Sequence, residues 1–220
     1  MKKYELTQNV RKIGDTTLHQ IKALKNFGYI KAGELGGYIE KENNLSQEGK
    51  AWVHKDAMVY DAARVYEDAS VSDDAMVAGC AEVYGNAKVY DNALVFGNAR
   101  VYDGAMVYGK AKVFGNAWVF GEANVSGEAE VSAFNHTITI GPISSPFDII
   151  TFYRNKYNSI SVSSVWFSGS IDNFVTDVNT TRGDSEHAKA YILAAKLAKT
   201  QIDLSQNEKD IRRQKKSAEE

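Results

Sequence analysis

The sequence predicts a mainly β protein whose centre is a stack of short parallel strands. Three observations support this fold class. Residues 51–134 divide into fourteen consecutive six-residue units without an insertion, and every unit begins with Ala and carries Val at its third position. Gly, Asp or Asn dominate the last two positions of the units. After Phe134 the period ends, and segments with strand-like and then helical spacing of apolar residues follow.

The six-residue period indicates how the units fold. Val, Tyr and Phe favour extended backbone, and a period of six does not match the turn of about 3.6 residues of an α-helix. Ala and Val lie two residues apart, so their side chains share one face of a short strand. Gly, Asp and Asn then supply a bend. Three bends close a triangle, so three units, or about 18 residues, form one coil.

Fourteen units give between four and five coils, a prism roughly 20 Å long if the coils stack at strand spacing. Inside so narrow a triangle only small and β-branched side chains fit, and such an interior is close-packed. The prism therefore has no room for a ligand inside. Any function of the repeat must lie on its outer faces or at its ends.

The spacing also resembles that of a known class of repeat proteins. Each Val from Val53 to Val125 is followed four residues later by the small residue Ala, as Val53 is by Ala57. This is similar to the hexapeptide-repeat proteins that fold as left-handed β-helices. The units of the form AxVYGN, together with the stretch 3–49, most resemble repeat proteins of phage and prophage genomes. The resemblance implies a left-handed parallel β-helix with about 18 residues per coil, and it favours a side-by-side trimer.

Four segments are expected along the chain. Residues 1–50 should form a strand-and-turn cap with a hairpin around "KIGD", because the open strand edges at the end of a β-helix need covering. Residues 51–134 form the β-helix, and residues 135–204 form a small C-terminal α+β module. Residues 205–220 are nearly all charged or polar, so this tail is expected to fray.

The C-terminal module should contain three strands followed by two helices. The strands are expected in "HTITIGPI", "DIITFYRN" and "SISVSSVWFSG", which have alternating or apolar character. The first helix is expected in "SIDNFVTDVNTTR" and the second in "DSEHAKAYILAAKLAKTQI". Asp184 or Ser185 is the predicted N-cap of the second helix.

Composition and charge limit the classes of function. The formal net charge is −2, and residues 51–134 hold twelve Asp and Glu against six Lys and Arg, which argues against nucleic acid along the repeat. A single cysteine, Cys80, cannot form an intramolecular disulfide or build a zinc site alone. The sequence shows no signal peptide and no membrane-spanning segment. We therefore expect a cytoplasmic protein, in the host cytoplasm if a phage encodes it.

The outward positions of the units can be sorted by face, because every third unit returns to the same face of the prism. One face carries a contiguous apolar strip, and such a strip usually marks a protein contact. We call it the apolar strip; it consists of Met58, Met76, Leu94, Phe96 and Phe114. The sequence predicts that this strip forms the interface of a homo-oligomer, with a trimer favoured. The alternative is that a terminal segment of the same chain folds back over it.

An acyltransferase activity, common among hexapeptide-repeat proteins, finds little support in the residues. Such enzymes carry a loop inserted between coils and a catalytic His, and the fourteen units here have no insertion. His54 is the only histidine in the repeat, at a position that Tyr or Phe usually occupies, and it has no evident base partner. The three histidines of a zinc site are also missing there. The sequence therefore predicts no catalytic residue, no metal and no cofactor.

The C-terminal module holds the one group of residues that resembles a binding site. Cations next to a helix N-terminus favour an anion. The predicted ligand-binding residues are Arg154, Lys156, Arg182, Gly183, His187, Lys189 and Tyr191. The hypothesis is a pocket for a phosphorylated ligand such as a nucleotide. The alternative is an ordinary helix cap with solvated charges, because Asp184 and Glu186 would compete with an anion.

These observations predict a non-catalytic binding protein in which a rigid, oligomeric β-helix presents its C-terminal modules. One specific form of this hypothesis is a phage-borne anti-defence protein that sequesters a nucleotide signal. A second form is a phage inhibitor that binds a host protein directly. An acyltransferase of the hexapeptide-repeat class is the remaining alternative.

Overall fold

The computed structural model describes residues 2–205 and shows a parallel β-solenoid of about five coils between an N-terminal cap and a C-terminal α+β module. The predicted fold class is therefore confirmed. The left hand of the coil remains the expectation from the resemblance. The predicted tail lies, from residue 206 onward, outside the described residues.

The solenoid contains fourteen strands, each two residues long and each ending on the Val of its unit. They are β4 Trp52–Val53, β5 Met58–Val59, β6 Arg64–Val65, β7 Ser70–Val71, β8 Met76–Val77, β9 Glu82–Val83, β10 Lys88–Val89, β11 Leu94–Val95, β12 Arg100–Val101, β13 Met106–Val107, β14 Lys112–Val113, β15 Trp118–Val119, β16 Asn124–Val125 and β17 Glu130–Val131. The first three strands, β1 Tyr4–Ile13, β2 Thr16–Ala23 and β3 Leu35–Ile39, belong to the cap.

Strands one coil apart pair in parallel and form the three faces of the prism. Face A contains β5, β8, β11, β14 and β17 and is continued by the cap strands β3, β2 and β1. Face B contains β4, β7, β10, β13 and β16, and face C contains β6, β9, β12 and β15. On face C, Arg64 lies beside Glu82 and Arg100 beside Trp118, as a coil of three units predicts.

The interior is filled by the two invariant positions of the unit. All fourteen Ala and all fourteen Val side chains are at most 1% exposed. The outer aromatic positions stack along the axis. On face C the rings of Tyr66, Tyr84, Tyr102 and Phe120 follow one another at centroid distances of 4.9, 5.0 and 5.3 Å, with their planes within 10° of parallel.

The corners of the coils require a residue with positive φ. Gly occupies several of them, and elsewhere the position is taken by an acidic residue such as Asp61 or Asp91, with φ of 57° and 56°. Asp tolerates this region better than most residues. Its carboxylate also accepts a hydrogen bond from the backbone amide one coil further on, at 3.0 Å from Gly79 to Asp61 and at 3.0 Å from Gly109 to Asp91.

The cap closes the N-terminal end of the prism. β1 and β2 pair as an antiparallel hairpin that turns at Gly14, as predicted, and β3 pairs in parallel with β5. Trp52 occupies the second, outward position of its unit, but it is 2% exposed because the cap rings of Tyr4 and Phe27 pack against it. Lys3 is buried as well; its ammonium donates to the Ala51 carbonyl at 2.9 Å, and burial lowers its pKa to about 8.

The C-terminal module contains four strands and two helices. They are β18 Thr137–Ile140, β19 Ile150–Arg154, β20 Ile160–Ser163, β21 Ser168–Ser170, α1 Ile171–Arg182 and α2 Glu186–Gln201. The expected third strand is split in two, because Ser164 and Phe167 form a turn in which the Ser164 amide donates to the Phe167 carbonyl at 2.8 Å. Ser185 is the N-cap of α2, and its side chain accepts from the Ala188 amide.

Strand β19 joins the solenoid to the module. The order of the module sheet is β18-β19-β20-β21. Thr151 accepts a hydrogen bond from the Asn124 amide at 2.9 Å, and the Tyr153 hydroxyl lies 3.2 Å from the Ser126 hydroxyl, so one face of β19 covers the last coil. Phe152, between them, packs on the other side against the α1 side chain Phe174. Alternate side chains of β19 thus face in opposite directions, one set toward the last coil of the solenoid and the other toward the core of the module.

Candidate functional site

The junction of α1 and α2 holds part of the predicted ligand site. Arg182, the last residue of α1, places its guanidinium 4.4 Å from the Trp166 ring centroid and 4.9 Å from that of Tyr191. Its Nε is buried and has no hydrogen-bond partner among the described residues. Gly183 follows with φ of 55° and ends the helix. The aromatic rings therefore fix the position of a cation at the entrance to α2.

The buried Tyr191 side chain, one of the two rings that contact Arg182, is itself held by hydrogen bonds. It is fully buried, and its hydroxyl donates to the carboxylate of Asp148, which also accepts from Ser144 at 2.7 Å and from the Trp166 indole at 2.9 Å. Burial raises the pKa of Asp148, but these hydrogen bonds outweigh it and the pKa lies below its usual value. Burial, followed by the Asp148 contact, raises the pKa of Tyr191. Tyr191 thus orients Arg182 and is not open to a ligand.

The first turn of α2 adds further groups to the junction. His187 is exposed, and the Lys189 ammonium lies 2.7 Å from the Glu186 carboxylate. A cavity of about 280 Å³ lies between the two helices and is lined by residues that include Gly183, Asp184 and Lys189. Of the predicted ligand-binding residues, the cavity is lined by Gly183 and Lys189; Arg182, which packs on Trp166 and Tyr191, and His187 are not in its lining.

Arg154 and Lys156 do not belong to this region. The Asp148 network lies just before the start of β19, and Arg154 is the last residue of that strand, so the length of β19 separates it from Arg182. Arg154 is 2% exposed and donates to Asn158. Lys156 lies at the solenoid end, 2.8 Å from Glu128. The seven predicted ligand-binding residues are therefore divided between two ends of the module.

The apolar strip is continuous along face A. Met58, Met76 and Leu94 are half-buried and lie in register on adjacent strands. Phe96 stacks on Phe114 at 5.1 Å, but Phe114 is only 6% exposed within the single chain, so it offers little area to another subunit. The cap covers the other end in part, since Arg11 of β1 lies 3.8 Å from the sulfur of Met58.

A second candidate site, which the sequence did not reveal, lies where face C meets the module. We call it the junction groove; it has a volume of about 740 Å³. It is lined by Asn98, Arg100, Asn116, Trp118, Phe120, Ala123, Phe134, Thr137, Ile138 and Thr139. Phe134 is 73% exposed, Phe120 50% and Trp118 43%. The signal in the sequence was the break in the period at Phe134. Because of this break, no further strand of the repeat pairs with β15, the strand of Trp118.

Neither a membrane span nor a metal cluster is seen in the part of the chain that the structure describes. No helix within residues 2–205 is long and apolar enough to cross a membrane. In the same range, no group of three or more His, Cys, Asp and Glu side chains is placed to hold a metal ion.

Comparison with known proteins supports the repeat architecture. Residues 87–103 match the family model described as YdcK Beta solenoid repeat. The matched stretch is just under one coil and spans β10 to β12. No curated protein matches the chain. The protein is thus a β-solenoid repeat protein.

Proposed function

We propose that this protein is a non-catalytic binding protein in which the solenoid is a rigid frame and the C-terminal module binds a phosphorylated ligand of the nucleotide class. The observation that carries the proposal is the Arg182 guanidinium packed against the adjacent rings of Trp166 and Tyr191 at the entrance to α2. Contact with aromatic rings leaves the N–H edges of a guanidinium for oxygen ligands. A prepositioned Arg loses little side-chain freedom when it binds a phosphate.

The start of α2, whose N-cap Ser185 lies three residues after Arg182 along the chain, supplies further anion-binding groups. The N-terminus of α2 carries a partial positive charge and free backbone donors. His187 is exposed on this turn, and Lys189 can exchange its surface contact with Glu186 for a phosphate oxygen, because exposed ion pairs contribute only about 0–1 kcal/mol. The cavity of about 280 Å³, which Gly183 and Lys189 line and Arg182 does not, accommodates a phosphate group rather than a whole nucleotide, so the base and ribose would lie on the surface.

The biological role that we propose is that of a phage-borne anti-defence protein, which sequesters a nucleotide signal in the host cytoplasm. Its support is the resemblance of the repeat to proteins of phage and prophage genomes. A solenoid whose interior is filled by Ala and Val is suited to presenting a binding module rather than to forming a pocket of its own. A second candidate, direct binding of a host protein, is favoured by the junction groove.

Calorimetry against a panel of mono-, di- and cyclic nucleotides tests the ligand. Each charge-assisted hydrogen bond contributes about 1.5–3 kcal/mol, so Arg182→Ala should weaken binding by roughly ten- to a hundredfold. Lys156→Ala is the matched control, because Lys156 lies at the other end of the module and should leave affinity unchanged. The proposal fails if no nucleotide binds below millimolar concentration, if Arg182→Ala binds as the wild type does, or if mass spectrometry shows that the ligand is converted.

We further expect the apolar strip to hold the subunits together, most simply as a trimer. Met76→Lys combined with Leu94→Lys should lower the mass measured by light scattering to that of one chain, with an unchanged circular dichroism spectrum. The control is Lys88→Ala on face B, which should leave the mass unchanged. A wild-type protein that is monomeric at micromolar concentration would contradict this expectation.

A further inference from the structure

The C-terminal end of the solenoid leaves one rung of face C incomplete. Where two coils pair completely, the amides at the second and fourth positions of a unit donate hydrogen bonds to carbonyls of the next coil along the chain. Arg100 donates to the Ala117 carbonyl at 2.9 Å and Tyr102 to the Val119 carbonyl at 3.0 Å. The corresponding donors of the next coil are the amides of Trp118 and Phe120. Within residues 2–205 neither of these two amides has an acceptor.

The reason lies in the path of the chain after β17. The 3-10 helix Phe134–His136 replaces the strand that would continue face C, and the chain then enters β18 of the module. Face B ends differently, because β19 covers it and Thr151 accepts from the Asn124 amide at 2.9 Å. Face B thus has no such gap at Asn124.

The gap coincides with the junction groove. Because each coil donates toward the next one, the unpaired amides of Trp118 and Phe120 point toward the module, where the groove lies. β18 is the edge strand of its sheet, and its residues Thr137, Ile138 and Thr139 form the opposite wall. No carboxylate lines the groove, and its exposed aromatic side chains form an apolar surface.

The groove also ends a stack of rings. Phe120 is the last member of the column of four rings on face C, whose centroids are spaced by about 5 Å. One face of Phe120 packs on Tyr102, and the ring is 50% exposed. A further aromatic side chain could therefore continue the column in the space that the missing rung leaves.

We propose that the junction groove binds an extended segment of another protein, which adds to the edge of β15 as a parallel strand. Two of its backbone carbonyls, two residues apart, accept hydrogen bonds from the amides of Trp118 and Phe120. They thus take the role that the carbonyls of Ala117 and Val119 have toward the amides of Arg100 and Tyr102. The side chain directly after the second carbonyl is aromatic or large and apolar, and it packs on Phe120. Strand addition to an exposed edge is an established mode of peptide recognition.

The composition of residues 206–220 does not suit this groove, which argues for a segment supplied in trans. Asp203 donates to the Asn135 carbonyl at 3.3 Å, so the described chain ends close to the groove. The sequence that follows, residues 206–220, is "QNEKDIRRQKKSAEE", in which nine side chains are charged and Ile211 is the one large apolar residue. This composition does not supply the apolar side chains that a strand beside Phe120 and Trp118 would bury. The occupant is therefore an apolar or aromatic segment of a partner protein.

Hydrogen exchange on the full chain tests the unpaired edge. The amides of Trp118 and Phe120 should exchange at least a hundredfold faster than those of Arg100 and Tyr102, which occupy the same positions one coil above. Protection of both amides in the free protein would overturn the proposal. If that protection is lost in a chain that ends at residue 205, or on dilution, the occupant is the tail or a second copy instead of a partner.

Binding of a defined peptide tests the acceptor. The probe is the acetylated and amidated peptide NARVYDGA, which repeats residues 98–105 and thus the rung above the gap. It should protect the amides of Trp118 and Phe120, and Phe120→Ser should weaken its binding at least tenfold. Tyr66→Ser, at the far end of the same ring column, is the matched control and should bind as the wild type does. Absence of binding at millimolar peptide, or equal binding by Phe120→Ser, would overturn the proposal.

The outcome is independent of the nucleotide experiment. The junction groove contains none of the residues of the α1–α2 junction, so loss of peptide binding and loss of nucleotide binding report on different surfaces.

Discussion

The solenoid and the C-terminal module build their cores by different rules. In the solenoid the same two side chains, Ala and Val, recur in every unit, and each coil contacts only its neighbours. The module core combines different side chains from strands and helices that are distant in sequence, among them Phe152, Phe174 and Tyr191. A residue of the solenoid is thus specified by its position in the unit, whereas a residue of the module is specified by its tertiary contacts.

The largest effect is expected from a charge inside the solenoid. Val101→Asp places a carboxylate in an interior that contains only Ala and Val at this level, and burying an unpaired charge costs several kcal/mol. The variant should fail to fold, as measured by circular dichroism and solubility. Lys88→Asp, at an exposed position on face B, should fold normally. A folded Val101→Asp protein would mean that the interior is not close-packed.

A smaller and more local effect is expected in the module. Phe174 is fully buried and packs against the rings of Phe152, Trp166, Phe167 and Tyr191. Its replacement by Ala should destabilise the module by about 3–5 kcal/mol. Hydrogen exchange should show loss of protection in α1 and α2 while the solenoid amides remain protected.

The matched control for this variant is Leu193→Ala, because Leu193 is 64% exposed. Equal loss of protection throughout the chain in Phe174→Ala would show that the solenoid and the module unfold as one unit.

The third effect concerns pH at the boundary between the two regions. His136 is fully buried and its Nδ1 accepts from the Ser132 amide at 3.2 Å. Burial, followed by the charge of Arg154, lowers the pKa of His136 from 6.5 to about 4. Between these two pH values the unfolded state binds the additional proton, so stability should fall as the pH decreases from 6.5 toward 4. Urea unfolding at several pH values measures this slope.

The variant His136→Gln should reduce this slope, because it removes the group that titrates. The corresponding control, His187→Gln, replaces an exposed histidine and should leave the profile unchanged. An identical slope in wild type and His136→Gln would assign the pH dependence to other groups.

The same contrast explains which features could be predicted from the sequence. The period of six was sufficient to place Arg64 beside Glu82 and Arg100 beside Trp118, because every coil repeats one geometry. In the module, local patterns predicted both helices and put the cap of the second at Asp184 or Ser185, of which Ser185 is the cap. They did not show that Arg154 and Arg182 lie apart, because that separation depends on which end of β19 each residue occupies.

The ends of the solenoid were the least predictable part. Trp52 follows the repeat pattern, but the cap buries it, since Tyr4 and Phe27 come from outside the repeat. The junction groove likewise arises from a single turn at Phe134–His136, whose direction the repeat does not determine. Boundaries between a periodic and an aperiodic segment are thus where local pattern carries the least information.

The number of units in the triangular coil also sets the position and rotation of the C-terminal module relative to the cap. Because three units complete one coil, an insertion of three units would move the module along the axis by about 4.8 Å without turning it. An insertion of one unit would instead rotate the module by about 120° relative to the cap and advance it by a third of that distance. Changes in the number of units would therefore redirect the α1–α2 junction and the junction groove in discrete steps, without altering a single residue in either site.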